Sequence, residues 1–419
     1  RLELEAGTYR FVCCTDGVSL DPTYGTGSII TPNINIKKEM IGATAPITLS
    51  GDDQQIVFLM YHREARVRFR ITGYTNQLTN VQLVMDFGST SNHYHYLTIP
   101  TGFQGPGTAT MGLVSDTYTM PSTRTQASVT YPLANEFLSD YKYLSWDENP
   151  WDRVDLKISG TIYGKTVSKT VSCRFDHTTV LKDNGTYTIN LKLKPTPALY
   201  LFQDGSCGAL AEKGSRTAIA AVVKEKTNTE EGTAVALHKA SDNAMTIEDN
   251  FNKQSLSVAD AMNDMNGYNY TWDAATTVDN EVKATAPNPA GLSNPSGYQY
   301  EPFYYAGNYN PGVATSNIGK WYLPALGEWR MAIKEFAGVD IAVQTSLYGT
   351  YANWDRQKMK KVFALAGGDI DTSAGSGYWE SSTQGNDYQR SLYVLVNDGY
   401  VGVSSDMFNS HGVVPFVHF

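Results

Sequence analysis

Two histidines separated by one residue are the first candidates for chemistry. His93 and His95 flank Tyr94, so in a β-strand both imidazoles would point to the same face. Two imidazoles in this arrangement can share a metal ion, but a zinc site needs at least a third protein ligand. No third ligand lies close to them in the sequence. We therefore interpret the pair as part of a polar strand face and predict neither a metal nor another cofactor.

The four cysteines do not form a metal motif. They are Cys13, Cys14, Cys173 and Cys207, and no two of them have C-x-x-C spacing. Cys13 and Cys14 are adjacent, so in a strand their side chains would point to opposite faces. We expect buried or half-buried thiols. A vicinal disulfide, or a bridge to Cys173, stays open as the alternative.

Three acidic side chains near the end of the chain are candidates for a catalytic acid/base pair. Asp369, Asp371 and Glu380 surround a stretch rich in glycine and serine, and two carboxyl groups can act as general acid and base. In such a loop we expect them to be solvated caps and turns instead. The sequence also lacks a G-x-S-x-G elbow, a phosphate-binding loop and an H-E-x-x-H motif. We therefore predict that the protein is not an enzyme.

Aromatic and amide side chains in loops are the better candidates for a binding surface. The tract from Asn269 to Asn317 contains three Asn-Pro pairs, and we predict a long loop there. Loops carry function because the scaffold positions them. The predicted ligand-binding residues are Tyr304, Tyr305, Tyr309, Tyr388, Asn397 and Tyr400. We assign the indoles of Trp321, Trp329 and Trp379 to the core, each with its N–H bonded to backbone.

Net charge and hydropathy argue against a nucleic-acid partner and against a membrane-spanning segment. The 419 residues include 33 basic and 42 acidic ones, a net charge of −9, which argues against binding nucleic acid by phosphate neutralisation. No apolar stretch reaches the roughly 18 residues of a membrane span. The chain begins at Arg1 without Met, so we expect that its natural N-terminus has been removed.

Alternating segments predict that the first 195 residues are β-structure. Residues 65–71, 154–158 and 187–194 alternate apolar with polar side chains, the pattern of strands with one buried face. Residues 55–61 form a continuous apolar run, which predicts a more central strand. The ladder of Arg66, Arg68 and Arg70 is interpreted as an exposed strand face, and contact with an anionic glycan or a partner subunit is its alternative. Seven or more short strands predict an antiparallel β-sandwich.

The pattern changes at the two prolines of the segment Lys194–Pro197, where we place a domain boundary between residues 1–197 and 198–419.

In the second domain we predict a helix that starts at Ser257 and stops at Gly267. A second begins at Pro324 with a stripe of Leu326, Trp329, Ile333 and Phe336, and a third covers residues 354–366, with Met359, Val362, Phe363 and Ala366 inward. Asn397-Asp398-Gly399 predicts a hairpin turn. The fold class is mostly β, with an α+β C-terminal part.

Three segments of the second half resemble a bacterial lectin-like family. Residues 319–329 (GKWYLPALGEW) look like its "WYLPSLGEW" signature, residues 378–383 (YWESST) like its "YWSSTE" block, and residues 413–417 (VVPFV) stand where it ends in "VRPV". Glu380 replaces a Ser and Val414 replaces an Arg. The likeness spans roughly residues 205–419 and implies a C-type-lectin-like module of the sulfatase-modifying and Fibrobacter major paralogous type.

The first half resembles the fimbrillin family of Bacteroides-type bacteria. Residues 4–12, 56–71 and 185–191 carry this likeness. It implies a transthyretin-like sandwich, strand exchange with other pilus subunits, and a lipid anchor in a missing N-terminal segment as the link to the outer membrane. Together the two resemblances imply an extracellular fimbrial tip or accessory adhesin whose second domain binds a glycan or a host or bacterial surface protein. A structural pilus subunit without a ligand site is the alternative.

The lectin resemblance also implies two chemistries that this sequence departs from. Sulfatase-modifying relatives use a cysteine pair within this domain, and no Cys follows Cys207. Calcium-dependent sugar binding uses an acidic-Pro-amide loop, whereas Glu301-Pro302-Phe303 lacks the amide. Val396-Asn397-Asp398 resembles the second calcium motif only in part. We therefore expect a calcium-free site, with calcium and a sulfatase-modifying enzyme as the less favoured alternatives.

Overall fold

The structure is a computed structural model. It describes residues 4–9, 11–14, 19–20, 29–30, 40–50, 55–62, 65–86, 96–97, 115–144, 153–174, 185–245, 251–285, 300–343, 350–352, 354–370, 377–386, 390–405 and 410–419. The chain divides into two compact units. The first contains residues 1–72, 76–126 and 136–192, and the second contains residues 73–75, 127–135 and 193–419.

The strands of the first half are mostly short. They are β1 Gly7–Tyr9, β2 Val12–Cys14, β3 Ser19–Leu20, β4 Ile29–Ile30, β5 Met40–Ala43, β6 Ile47–Leu49, β7 Tyr61–His62, β8 Ala65–Gly73, β9 Thr79–Asp86, β10 Tyr96–Leu97, β11 Ser115–Thr119, β12 Gln126–Ala127, β13 Asn135–Leu138, β14 Lys142–Leu144, β15 Arg153–Ile162, β16 Lys165–Arg174 and β17 Thr186–Leu193. Five of those described, β8, β9, β15, β16 and β17, have eight or more residues. The larger sheets have the orders β11-β9-β15-β16 and β12-β13-β8-β14, with β17 also paired to β8.

Strand β8 shows why these segments fold as strands. Its side chains alternate between buried and more exposed along the whole segment, with Val67, Phe69 and Ile71 at 1% exposure or less. The ring of Phe69 meets that of Tyr118, on a strand of the other large sheet, edge to face at 4.8 Å. This contact buries apolar rings from both sheets against each other, and it confirms the alternating prediction for residues 65–71.

The arginine ladder of β8 faces a polar ladder on β17. The Nε of Arg66 donates to Thr186 Oγ1 at 2.8 Å, and the next two arginines reach Thr188 and Asn190. The constant separation of 120 residues means that these two strands run parallel. Arg66 and Arg68 also lie over the ring of Tyr141, at 4.7 and 4.6 Å. These contacts within the unit account for the ladder without a ligand.

The prediction of a central strand at residues 55–61 is wrong. Only Tyr61 of that run lies in a strand, and residues 55–60 are extended without sheet pairing. Val57 and Leu59 are 79% and 69% exposed. A continuous apolar run indicates burial on both faces only when neighbouring strands flank it.

The strands of the second half form two six-stranded sheets. They are β18 Tyr200–Phe202, β19 Cys207–Gly208, β20 Ala218–Lys224, β21 Thr233–Ala236, β22 Ser241–Met245, β23 Trp321–Tyr322, β24 Thr350–Ala352, β25 Gly377–Gln384, β26 Ser391–Val396, β27 Tyr400–Ser405, β28 Ser410–Val413 and β29 Phe416–His418. Their orders are β19-β18-β20-β21-β29-β23 and β22-β28-β25-β26-β27-β24. Strands β26 and β27 pair as an antiparallel hairpin around Asn397-Asp398-Gly399, as the sequence predicts.

The helices of the second half are few and short. They are α1 Val258–Ala261, α2 Gly267–Trp272, α3 Glu301–Gly307, α4 Leu326–Ala337 and α5 Arg356–Leu365, with 3₁₀ turns at Leu210–Glu212, Ala274–Thr276 and Ile341–Val343. None of the helices in the described part of the chain is long and apolar enough to cross a membrane. Helix α4 buries its predicted stripe and ends at Gly338 with φ +76°. Helix α5 buries Met359, Val362 and Phe363, while Ala366 is half-buried.

Two helix predictions need correction. Ser257 caps α1 as expected, because its Oγ accepts a hydrogen bond from Asp260 N, but Gly267 begins α2 instead of ending α1. A Cβ at Gly267 would lie 2.3 Å from Glu328 Oε2, so a close approach explains this glycine. The predicted loop at 269–317 also contains α3, whose Pro302 sits in the first helical turn, where its missing N–H costs nothing.

Strands cover far more of the described residues than helices do, which confirms a mostly-β fold. The main core of the second unit packs α4 and α5 against both sheets around Trp329, Trp379 and Phe416. The indoles of Trp329 and Trp379 stack at 4.9 Å, and Phe416 lies edge-on to Trp329. The sandwich and lectin-like assignments, with their boundary at residue 197, stay predictions.

Candidate functional site

An open cleft of about 650 Å³ lies between the end of α3 and the start of β23. Its walls are the segment that follows α3 and the first residue of that strand: Tyr309, Asn310, Pro311, Gly312, Val313, Ala314, Thr315, Ser316, Ile318, Gly319 and Trp321. None of these side chains is charged. The lining is therefore aromatic, apolar and amide- or hydroxyl-bearing.

Local sequence chemistry holds this loop in shape. The Oδ1 of Asn310 accepts a hydrogen bond from Gly312 N at 2.9 Å, an Asx turn that places Gly312 at φ +80°. Ser316 N donates to Gln203 O at 2.8 Å, and Asn317 Nδ2 donates to Asp204 O at 3.1 Å. The cleft is therefore built on a loop pinned to the turn at residues 203–205.

Two of the lining residues, Tyr309 and Trp321, are aromatic. Trp321 is 6% exposed and pairs with Val417 through its backbone, while Tyr309 is half-buried and lies edge-on to it at 4.8 Å. Burial raises the pKa of the Tyr309 hydroxyl to about 12. The ring therefore stays neutral across the physiological range. Next to the cleft, Lys320 lies over the ring of Trp272 at 4.3 Å.

The six predicted site residues do not gather in one place. Tyr309 lines the cleft. Tyr304 and Tyr305 lie half-buried on α3, edge-on to each other at 5.8 Å. Tyr388 lies outside the described residues.

The hairpin candidates are a separate pair. The N–H of Asn397 donates to Tyr400 O at 2.9 Å, and its Oδ1 accepts from Gly399 N, so this side chain serves the turn. Tyr400 is half-buried and its backbone pairs with Ala352. The hairpin of this pair belongs to the second six-stranded sheet, whereas Trp321 of the cleft belongs to the first.

The predicted core indoles are buried. Trp329 and Trp379 are 0% and 2% exposed, and the Nε1 of Trp329 donates to Glu380 O at 3.0 Å. Trp321 belongs both to the core and to the cleft wall, whereas the sequence analysis assigns it to the core alone. Its carbonyl accepts a hydrogen bond from Trp272 Nε1.

The acidic residues have separate roles. Asp369 is exposed and pairs with His238 Nδ1 at 3.0 Å, and Asp371 lies outside the described residues. The expectation that Glu380 is solvated is wrong, because its carboxylate is completely buried in β25. There it pairs with His411 Nδ1 at 2.9 Å. His411 therefore serves as the buried partner of this carboxylate.

The histidines and cysteines are the remaining candidates for metal binding. Among the described residues, no three His, Cys, Asp or Glu side chains are placed to hold a metal ion. His93 and His95 lie outside the described residues. Cys13 and Cys173 are half-buried thiols and Cys207 is a buried one, and burial raises the pKa of Cys207 well above its ordinary value. No disulfide joins these three.

The buried charged residues that the sequence analysis did not single out include Lys283, Glu328 and Arg356, each at most 1% exposed. Arg356 begins α5 and reaches Asp398 Oδ1 at 3.3 Å with no exposed side-chain surface. Glu328 accepts a hydrogen bond from Tyr322, and burial raises its pKa to about 8. Glu328 lies in the first turn of α4, outside its apolar stripe, so the helical period does not predict its burial.

Comparisons with known proteins give little further assignment. No family model matches the chain, and no curated protein matches it. A crystal structure of a candidate cell adhesion protein from Bacteroides fragilis is similar over 46% of this chain and 63% of its own length, with 11% identity and a TM-score of 0.28. The match therefore spans less than two thirds of that protein, and likeness at this level assigns neither fold nor function.

Proposed function

We propose that this protein is a cell-surface adhesin of the fimbrial type whose second unit binds a glycan in the cleft lined by residues 309–321. The observation that carries the proposal is the uncharged lining of an open cleft of about 650 Å³. A neutral, polyhydroxylated ligand can stack on an aromatic ring and exchange hydrogen bonds with amide and hydroxyl groups. A charged ligand would find no fixed counter-charge in this lining.

The first unit then serves assembly with other pilus subunits, at an extracellular, outer-membrane location. This part of the proposal is supported by the resemblance of residues 4–12, 56–71 and 185–191 to fimbrillins. A structural pilus subunit without a ligand site is the second candidate. It is favoured by the extended segment at residues 56–60, whose exposed apolar side chains suit burial by a neighbouring chain.

The test is a broad array of glycans and matrix proteins probed with the full chain, with and without EDTA. We expect binding to neutral glycans that EDTA does not abolish, because the cleft offers no carboxylate for calcium. Binding confined to matrix proteins would replace the glycan by a protein ligand. Silence across the whole array would favour the structural subunit.

Filling the cleft should abolish that binding. Thr315 is exposed in the cleft wall, so Thr315→Trp places a large ring in the space that the glycan needs. We expect at least a tenfold loss of affinity, about 1.4 kcal/mol, measured by titration calorimetry. Thr229→Trp, the same change at an exposed position outside the cleft, is the matched control. Equal affinities of the two variants for the glycan would show that the cleft is not the binding site. Tyr400→Ala would then test whether the glycan binds at the hairpin.

A further inference from the structure

A lysine lies in the interior of the second unit. Lys283 is 0% exposed. Its Nζ lies 2.6 Å from Asn252 Oδ1 and 3.0 Å from Tyr270 O, and no carboxylate of the described residues lies within ion-pair distance of it. Buried lysines are rare unless they are paired. This pairing with a carboxamide and a carbonyl needs an explanation.

Aromatic rings enclose the amine on several sides. Phe303 is the nearest, with its centroid 4.7 Å from Nζ, and Phe251, Tyr270 and Tyr300 follow at 5.8–5.9 Å. All four rings are at most 3% exposed. Burial among these rings excludes water, which disfavours the charged ammonium, whereas the ring faces attract it.

Burial accordingly lowers the pKa of Lys283 to about 7, against the opposing charge of Asp279. The carboxylate of Asp279 accepts a hydrogen bond from Tyr300 Oη at 2.9 Å. At neutral pH a large fraction of Lys283 is therefore the free amine, whose lone pair is nucleophilic.

The carboxamide of Asn252 is held in a fixed orientation beside this amine. It is 1% exposed, and its Nδ2 donates to Ser382 O at 2.9 Å. The backbone N–H of Asn252 donates to Gln384 Oε1 at 2.8 Å, which fixes the segment as well. Nζ therefore donates to an oxygen that is bonded directly to the carbonyl carbon, Cγ, and both side chains are buried.

We propose that Lys283 and Asn252 become joined by an intramolecular amide bond between their side chains. The Nζ lone pair attacks Cγ of Asn252, and a new C–N bond forms. A proton passes from Nζ to Nδ2, the Cγ–Nδ2 bond breaks, and ammonia leaves. No oxidant, reductant or co-reactant is needed.

The product fits the same surroundings. The new amide keeps one N–H, which can continue to donate to Tyr270 O, and it carries no charge, so the cost of a buried ammonium disappears. The link closes a loop between positions 252 and 283 in the chain. It would strengthen the unit against pulling forces, and it is independent of which glycan or protein the cleft binds.

A second Lys–Asn pair nearby provides an internal control. Lys253 Nζ lies 2.6 Å from Asn280 Oδ1, the same distance, but both residues are exposed to water. Water reaches this pair. We therefore expect no bond there, although the two pairs have equal contact distances.

The test is mass spectrometry of the denatured full chain, fresh and after prolonged incubation at neutral pH. We expect a mass below the sequence mass by about 17 Da, one ammonia, and a branched tryptic peptide that contains Asn252 and Lys283. Lys283→Arg and Asn252→Ala should restore the sequence mass, whereas Lys253→Arg should keep the deficit.

The wild-type measurement decides the matter even if these variants fold poorly. A wild-type chain of full sequence mass with linear peptides for both residues would overturn the proposal. A deficit of one ammonia that maps to a cyclised asparagine elsewhere would overturn it as well. The same deficit mapped to the Lys253–Asn280 pair would show that burial is not the cause.

Discussion

Replacing Trp329 with alanine is expected to lower the free energy of unfolding by about 3–5 kcal/mol. The indole is completely buried, stacks on Trp379 at 4.9 Å and meets Phe416 edge-on at 5.1 Å. Its Nε1 also donates to Glu380 O, and that carbonyl would lose this donor. Urea unfolding followed by circular dichroism measures the change.

A matched variant separates packing from the hydrogen bond. Trp329→Phe keeps an aromatic ring in the stack but removes the N–H, so we expect a smaller loss than for alanine. Trp329→Ala with nearly wild-type stability would contradict the packing of α4 against both sheets.

Replacing Glu328 with glutamine is expected to remove most of the stability loss between pH 4.5 and 8. Burial raises the pKa of Glu328 from an ordinary 4.5 to about 8. Between these values the folded state therefore holds one more proton than the unfolded chain, and the free energy of unfolding falls as the pH rises. The full effect is on the order of 4 kcal/mol at pH 8. Glutamine is uncharged at every pH.

Thermal unfolding at a series of pH values measures this slope. Burial also raises the pKa of Asp264, so this residue makes the free energy of unfolding fall further as the pH rises. Burial lowers the pKa of His418, so its effect on the free energy of unfolding lies mainly below its ordinary pKa of 6.5. Both remain in the variant. Glu335→Gln removes an exposed carboxylate from the same helix and serves as the control. An unchanged slope in Glu328→Gln would mean that Glu328 is already ionised in the folded protein.

Periodicity predicts the elements whose burial follows from local pattern. The stripe of α4 was predicted from spacing alone, because an amphipathic helix must turn one face to the core. The hairpin at Asn397-Asp398-Gly399 follows from turn chemistry. Residues 55–61 show the limit, since an apolar run does not reveal whether neighbouring strands exist to cover it.

The candidate site was predictable only in part. Tyr309 and Trp321 are both visible in the sequence, but their edge-on contact depends on how the loop is pinned to residues 203–205. The burial of Lys283 beside Asn252 depends on contacts between segments that no local pattern records. Helix α3 was missed because Asn-Pro pairs on both sides of it favour a loop.

The central claim is that the cleft lined by residues 309–321 binds the ligand. Hydrogen–deuterium exchange of the full chain, with and without the glycan that the array selects, tests it most directly. We expect slower exchange of the backbone amides of residues 309–319, with little change in the hairpin at residues 396–401. Slower exchange confined to that hairpin, or no change at residues 309–319 at a saturating glycan concentration, would contradict the claim.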